Sequence, residues 1–121
     1  MEFNFNNESP IYIQLVDKLK ESIISGEYPL GSKIPSVRDL AFIAKVNPNT
    51  IQKALGELER EELIYTERTN GKYVTEDKEL INKIKTYIAR DITEKYITNM
   101  SKIGITNKEI LSYLEEIGGI K

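Results

Sequence analysis

The chain has 121 residues, of which 40% are hydrophobic and 30% charged, a balance typical of one folded domain, or a small domain with an appendage, rather than of a disordered chain. It contains no Cys and no His, which excludes disulfides and thiolate metal sites and removes the commonest general base, so we expect no enzyme, no metal and no cofactor. The net charge of −2 gives no general attraction to nucleic acid, so DNA binding would depend on where individual charges are placed.

The first part of the chain predicts one amphipathic helix. Residues 1–7 lack the basic and apolar regions of a secretory signal, and no apolar run reaches the roughly 18 residues of a membrane span, so we expect a cytoplasmic protein without membrane contact. Ser9-Pro10 is a typical helix start, with Ser as the N-cap, and Gly26 is expected to end the helix before a turn-rich connector. The apolar stripe of this helix is Tyr12, Leu15, Val16, Leu19 and Ile23.

Two short helices with a tight turn between them are predicted next. Ser36 and Asp39 form a cap for a helix that ends near Ala44. Asn47-Pro48 repeats the cap-plus-Pro signal three residues later and begins a third helix over about 48–61. This arrangement is typical of a helix-turn-helix. The apolar face of the third helix is Ile51, Ala54, Leu55 and Leu58.

A β-hairpin follows the third helix. Two β-rich runs, 63–67 and 72–75, flank Arg68-Thr69-Asn70-Gly71, and Asn-Gly between such runs is a strong hairpin signal. Three helices and a hairpin in this order predict a winged helix over residues 9–76. The expected fold class is therefore mainly α with a small β-hairpin: a winged helix-turn-helix followed by a two-helix C-terminal dimerisation region.

The polar side chains of this region have the chemistry of DNA recognition. The N-terminal residues of a helix in the major groove reach the base edges, where Asn and Gln can pair with adenine and Lys with guanine or phosphate. A basic hairpin tip suits the minor groove. Taken singly, the polar residues of the third helix could be no more than a good helix start, and the charges of the hairpin could simply be solvated. DNA binding is favoured because both groups occur together in the required order. The candidate DNA-binding residues are Arg38, Asn49, Thr50, Gln52, Lys53, Arg68, Asn70, Gly71 and Lys72.

Several motifs in residues 9–76 resemble the N-terminal domain of GntR-family regulators. The resemblance implies a dimeric winged-helix repressor or activator on a palindromic operator, with repression the preferred interpretation. By position, it places DNA contacts on Arg38, Asn49, Thr50, Gln52, Lys53 and Gly71. The matching motifs are Pro10-Ile11-Tyr12-x-Gln14, Pro29-x-Gly31-x-x-Ile34-Pro35-Ser36-x-Arg38, Val46-Asn47-Pro48-Asn49-Thr50-Ile51-x-Lys53-Ala54 and Asn70-Gly71-Lys72-Tyr73-Val74.

The chain departs from the family pattern at three positions. Lys53 stands where Arg is frequent, and the two are not equivalent at a bidentate contact. Thr69 replaces a wing Gly, and Glu62 replaces a Gly just after the third helix. The departure at Lys53 affects base preference, whereas the other two affect local geometry.

The last 45 residues predict two helices, over about 78–101 and from a capping box at Thr106 and Glu109 to Gly118-Gly119. The first is apolar over a wider face than one short neighbour could cover, which favours a homodimer through residues 77–121 over a monomer. The short C-terminal region resembles the YtrA-type subfamily, whose members are linked to transporter operons and dimerise through such helices. Two alternatives remain open: an unknown small-molecule effector could bind at the dimer interface, and the winged helix could bind a protein instead of DNA. The candidate dimerisation residues are Ile81, Ile84, Ile88, Ile92, Tyr96, Leu111 and Leu114.

Overall fold

The computed structural model describes residues 3–119, which form five α-helices and a two-stranded antiparallel sheet. The mainly helical class with a β-hairpin is therefore confirmed. The chain divides into two compact units, and the division falls between Asn82 and Lys83. The elements in chain order are α1 (Ile11–Ile24), α2 (Val37–Ala44), α3 (Pro48–Arg60), β1 (Ile64–Glu67), β2 (Gly71–Val74), α4 (Lys78–Lys102) and α5 (Asn107–Gly118).

Helix α3 lies at the centre of the first unit, where it packs against α1, α2 and β1. The predicted apolar faces form the core because each helix repeats its apolar residues at intervals of three and four. Tyr12, which was predicted on the α1 stripe, is only half-buried. The buried residues of α1 and α3 include Leu15, Val16, Leu19, Ile23, Ile51, Ala54, Leu55 and Leu58.

The N-caps of α2 and α3 are those that the sequence predicts. Ser36 Oγ accepts a hydrogen bond from the Asp39 N–H at 3.1 Å, and Asn47 Oδ1 accepts one from the Asn49 N–H at 2.8 Å. The predicted N-cap of α1 was wrong, since Pro10 and not Ser9 occupies that position and makes no side-chain cap. Pro10 has the extended conformation of an N-cap (φ −56°, ψ 144°), and its carbonyl accepts from the Gln14 N–H at 3.3 Å.

The residue after the α3 C-cap has a left-handed backbone. Glu62 has φ +63°, and the following Leu63 N–H donates to the Leu58 carbonyl at 3.0 Å. A residue with a Cβ is disfavoured in this region, which gives a physical reason for the Gly that the family resemblance places here. Thr69, the other departure in local geometry, is not among the described residues with a positive φ.

The hairpin is present, with a shorter turn than the sequence predicts. Gly71 is the first residue of β2 and lies opposite Glu67, so the loop has three residues, 68–70. Gly71 reaches this position with φ +106°, a conformation that favours glycine.

The connector before α2 pairs with the wing, which its turn-rich sequence did not predict. The Ile34 N–H donates to the Lys72 carbonyl at 3.0 Å, and the Val74 N–H donates to the Ser32 carbonyl at 2.8 Å. An isolated antiparallel bridge joins Lys33 to Tyr73. Residues 32–34 therefore cover the outer edge of β2.

In the second unit, the predicted capping box begins α5. Thr106 Oγ1 accepts from the Glu109 N–H at 3.2 Å, and Glu109 Oε1 accepts from the Thr106 N–H at 3.2 Å. Ile110 is buried, whereas many other large apolar residues are exposed. Between residues 3 and 119, no helix is long and apolar enough to cross a membrane. The exposed apolar residues of this unit are Tyr87, Ile92, Tyr96, Ile97, Ile103, Leu111, Tyr113, Leu114 and Ile117.

Candidate nucleic-acid interface

The N-terminal half of α3 presents the predicted polar face. Asn49, Gln52 and Lys53 are exposed, and they lie within one arc of the helix because they are spaced by three and four residues. Thr50 is half-buried. The opposite side of α3 is held in the core by Ile51 and its apolar neighbours, so packing fixes which face is turned outward.

Lys53 is the cation of this face. Its Nζ lies 4.4 Å from the centroid of the Tyr12 ring, in the geometry of a cation–π contact. Glu57, one turn further along α3, accepts hydrogen bonds from Arg60 and, at 3.5 Å, from the Tyr12 hydroxyl. The hydrogen bond from Arg60 lowers the pKa of Glu57, opposed by its partial desolvation.

Arg38 is the second residue of α2 and is exposed. The connector, the first residue of α2 and the wing line a cleft of about 370 Å³, formed by residues 33–37 and 66–72, which ends one residue before Arg38. Arg68 and Asn70, which line this cleft, are exposed on the wing loop. The arrangement places cationic groups of α2 and of the wing in the same winged-helix unit as the α3 face.

The side chain of Lys33 lies close to the position that a Cβ would occupy on Gly71. A Cβ built on Gly71 would lie 3.1 Å from Lys33 Cε. The wing therefore approaches the connector closely at Gly71, which has no side chain. Lys33, the connector residue at this contact, is not among the predicted DNA-binding residues.

Lys72 is placed differently from the other wing residues. Its Nζ lies 2.7 Å from Glu59 Oε1 and 2.8 Å from Thr66 Oγ1, and Thr66 also donates to Glu59. The hydrogen bond from Lys72 and that from Thr66 lower the pKa of Glu59. Lys72, predicted as a DNA contact, thus connects β2 to α3 in the free protein, a contact across 13 residues that local sequence patterns did not reveal.

The candidate dimerisation residues differ in exposure. Ile81 is buried at 7% exposure in the first unit, so its burial requires no second copy. Ile84 and Ile88 are half-buried. The exposed members are Ile92 at 62%, Tyr96 at 37%, Leu111 at 61% and Leu114 at 40%. No group of acidic residues in the described part of the chain has the spacing of a metal site.

The sequence is similar to those of bacterial transcription regulators. The family profile described as "Bacterial regulatory proteins, gntR family" matches residues 11–74. The chain is 35% identical over 111 residues to the HTH-type transcriptional regulator YhcF of Bacillus subtilis, with 92% of each chain covered. It is 35% identical over 112 residues to the HTH-type transcriptional repressor YtrA of the same organism, covering 92% of this chain and 86% of YtrA.

Solved structures show the same fold. A GntR family transcriptional regulator from Listeria monocytogenes matches with a TM-score of 0.86 and 45% identity, over 93% of this chain and 98% of that one. AraR(DBD), solved in complex with operator ORX1, matches with a TM-score of 0.57 and 28% identity, over 62% of this chain and 96% of that one. Since the family profile spans more than half of the chain and YhcF matches along nearly all of its length, the chain belongs to the gntR family of bacterial regulatory proteins.

Proposed function

We propose that this gntR-family regulator represses transcription by binding a palindromic DNA operator as a homodimer. In this proposal α3 enters the major groove and residues 68–72 reach the minor groove. The observation that carries it is the exposed face of Asn49, Gln52 and Lys53 at the start of the second helix of a helix-turn-helix. The operator complex of AraR(DBD) and the repressor name of YtrA are consistent with this activity.

We assign the two roles to different parts of the chain, DNA binding to 9–76 and dimerisation to 77–121. The support for dimerisation is the apolar surface of α5 and the later part of α4, where Ile92 and Leu111 are more than half exposed. Large exposed apolar patches mark contact sites with other proteins. A two-fold dimer would present two copies of α3 to half-sites about 34–36 Å apart.

We propose that the protein is not an enzyme, because binding to an operator requires no catalytic step. We also propose that it is cytoplasmic, because the bacterial operator DNA lies in the cytoplasm. The side chains proposed to contact DNA act through hydrogen bonds and charge alone. The Lys53 ammonium, the Arg68 guanidinium and the Gln52 amide would contact base edges or phosphates without being chemically changed.

The deciding experiment is selection of bound sequences from a random DNA pool, together with light scattering of the free protein. We expect an enriched palindrome with half-sites one helical turn apart and a mass of twice 13.9 kDa. Log affinity should fall with log salt by about 0.9 for each phosphate neutralised. Failure to enrich any sequence, or an affinity independent of salt, would favour a module that binds protein, and a monomer at micromolar concentration would contradict the dimer.

A further inference from the structure

Tyr12 contacts two side chains of α3 at once, those of Lys53 and Glu57. It is the second residue of α1 and is half-buried. The face of its ring lies against the Lys53 ammonium, 4.4 Å from Nζ to the centroid, and its hydroxyl donates to Glu57 Oε2 at 3.5 Å. One residue of α1 therefore lies between the cation of the candidate DNA-binding face and the acid one turn further along α3.

Lys53 and Glu57 are four residues apart, and a Lys–Glu pair at this spacing on a helix normally attracts. In residues 3–119, however, no carboxylate oxygen lies within 4.0 Å of the Lys53 ammonium. Glu57 is instead paired with Arg60 and contacted by Tyr12. The cation that the fold presents on its exposed face is therefore not neutralised by its own helix.

We propose that Tyr12 is a positioning residue for DNA recognition: its ring holds the Lys53 ammonium away from Glu57 and orients it for the major groove. The proposal rests on the proposed function. Lysine has a long side chain with many rotamers, and a contact that restricts them before binding lowers the entropy cost of the DNA contact. The ring attracts the cation without neutralising its charge, so the ammonium can still donate to guanine or phosphate.

The test compares Tyr12→Leu, which removes the ring, with Tyr12→Phe, which keeps the ring and removes the hydroxyl. Affinity is measured for the selected operator and for a copy with the base pair read by Lys53 replaced. We expect Tyr12→Leu to bind the operator about three- to tenfold more weakly, with a smaller loss on the altered copy, and Tyr12→Phe to stay near the wild type. Tyr12→Met replaces Tyr12→Leu if the latter fails to fold.

Two further variants separate positioning from packing. In a Tyr12→Leu chain, Glu57→Gln removes the acid that would capture Lys53, and we expect it to restore part of the lost affinity. In a Lys53→Ala chain, Tyr12→Leu should cause little additional loss, because the residue that it positions is absent. Additive losses from Tyr12→Leu and Lys53→Ala, or equal losses from Tyr12→Leu and Tyr12→Phe, would overturn the proposal.

An NMR measurement on the free protein tests the contact without DNA. The ε-methylene protons of Lys53 should be shifted upfield by the ring current of Tyr12 in the wild type and in Tyr12→Phe, and should return to ordinary values in Tyr12→Leu. An unshifted wild-type signal would contradict the inferred contact. A shifted signal in a protein that enriches no DNA sequence would instead support the contact and contradict the proposed function.

Discussion

The Glu59 carboxylate on α3 accepts a hydrogen bond from the Lys72 ammonium on β2, with 2.7 Å between Oε1 and Nζ. Thr66 on β1 donates to the same oxygen, so one carboxylate of α3 binds both strands of the wing. The Lys72 side chain is 26% exposed and the Glu59 side chain 35%, and this shielding from solvent limits screening by salt. The pair fixes the wing against the helix that we propose to enter the major groove.

This ion pair predicts a pH dependence of stability. Because the folded-state pKa of Glu59 lies below its ordinary value of 4.5, its stabilisation is complete above that value and is lost as pH falls through the lower folded pKa. Glu59→Gln should therefore lose less stability than the wild type between pH 5 and pH 3, by up to about 1 kcal/mol. Urea unfolding at several pH values measures the difference. Lys72→Met should flatten the profile in the same way, and identical profiles for all three proteins would contradict the assignment.

The positive φ of Glu62 predicts a stabilising substitution. Glu62→Gly relieves the clash of a Cβ in left-handed backbone and should raise the free energy of unfolding by about 1 kcal/mol. Glu62→Ala is the matched control, because it removes the same carboxylate and keeps the Cβ. Thermal and urea unfolding should show a gain in stability for Glu62→Gly and none for Glu62→Ala. An equal change in both variants would mean that the loss of the carboxylate, and not the backbone conformation, causes the effect.

Direct DNA contacts are tested by Lys53→Ala and Arg68→Ala. Lys53→Ala should weaken operator binding by about 1–3 kcal/mol and relax the preference at one base pair. Arg68→Ala should weaken binding to all sequences more evenly and reduce the salt slope by about 1. Arg68 tests the wing better than Lys72, whose ammonium is already bound to Glu59. Unchanged affinity in both variants, measured by titration of labelled operator, would refute the proposed groove assignment.

Dimerisation is tested on α5. Leu111 is 61% exposed in the single chain, and Leu111→Asp should place a charge in the proposed interface and yield monomers that bind the palindrome far more weakly. Ser112→Asp adds the same charge about 100° round the helix and should leave the dimer intact. Light scattering gives the mass and circular dichroism checks that α5 remains folded. If Leu111→Asp is still a dimer, the interface does not include this face of α5.

The sequence predicted what depends on neighbouring residues. Helix caps such as Ser36 and Asn47 and the apolar face of α3 follow from local hydrogen bonds and helical periodicity, and the structure confirms them. The sequence did not reveal contacts between side chains that are distant in the chain, such as Tyr12 with Lys53 or Glu59 with Lys72. Periodicity within one element does not show how two elements pack against each other. The shorter wing turn was missed because hairpin loops that contain Gly vary in length, and the residues alone do not show where the pairing of the strands stops.

The pairing of residues 32–34 with β2 limits how the length of the chain can vary here. Side chains alternate between two faces along an extended segment, and Ile34 is buried at 3% exposure whereas its neighbour Lys33 is exposed. One residue inserted between Ser32 and Ile34 would exchange these faces, and either a lysine would enter the core or the bridge to Tyr73 would be lost. Natural insertions and deletions should therefore accumulate before Gly31 and leave the spacing from Ser32 to the start of α2 unchanged.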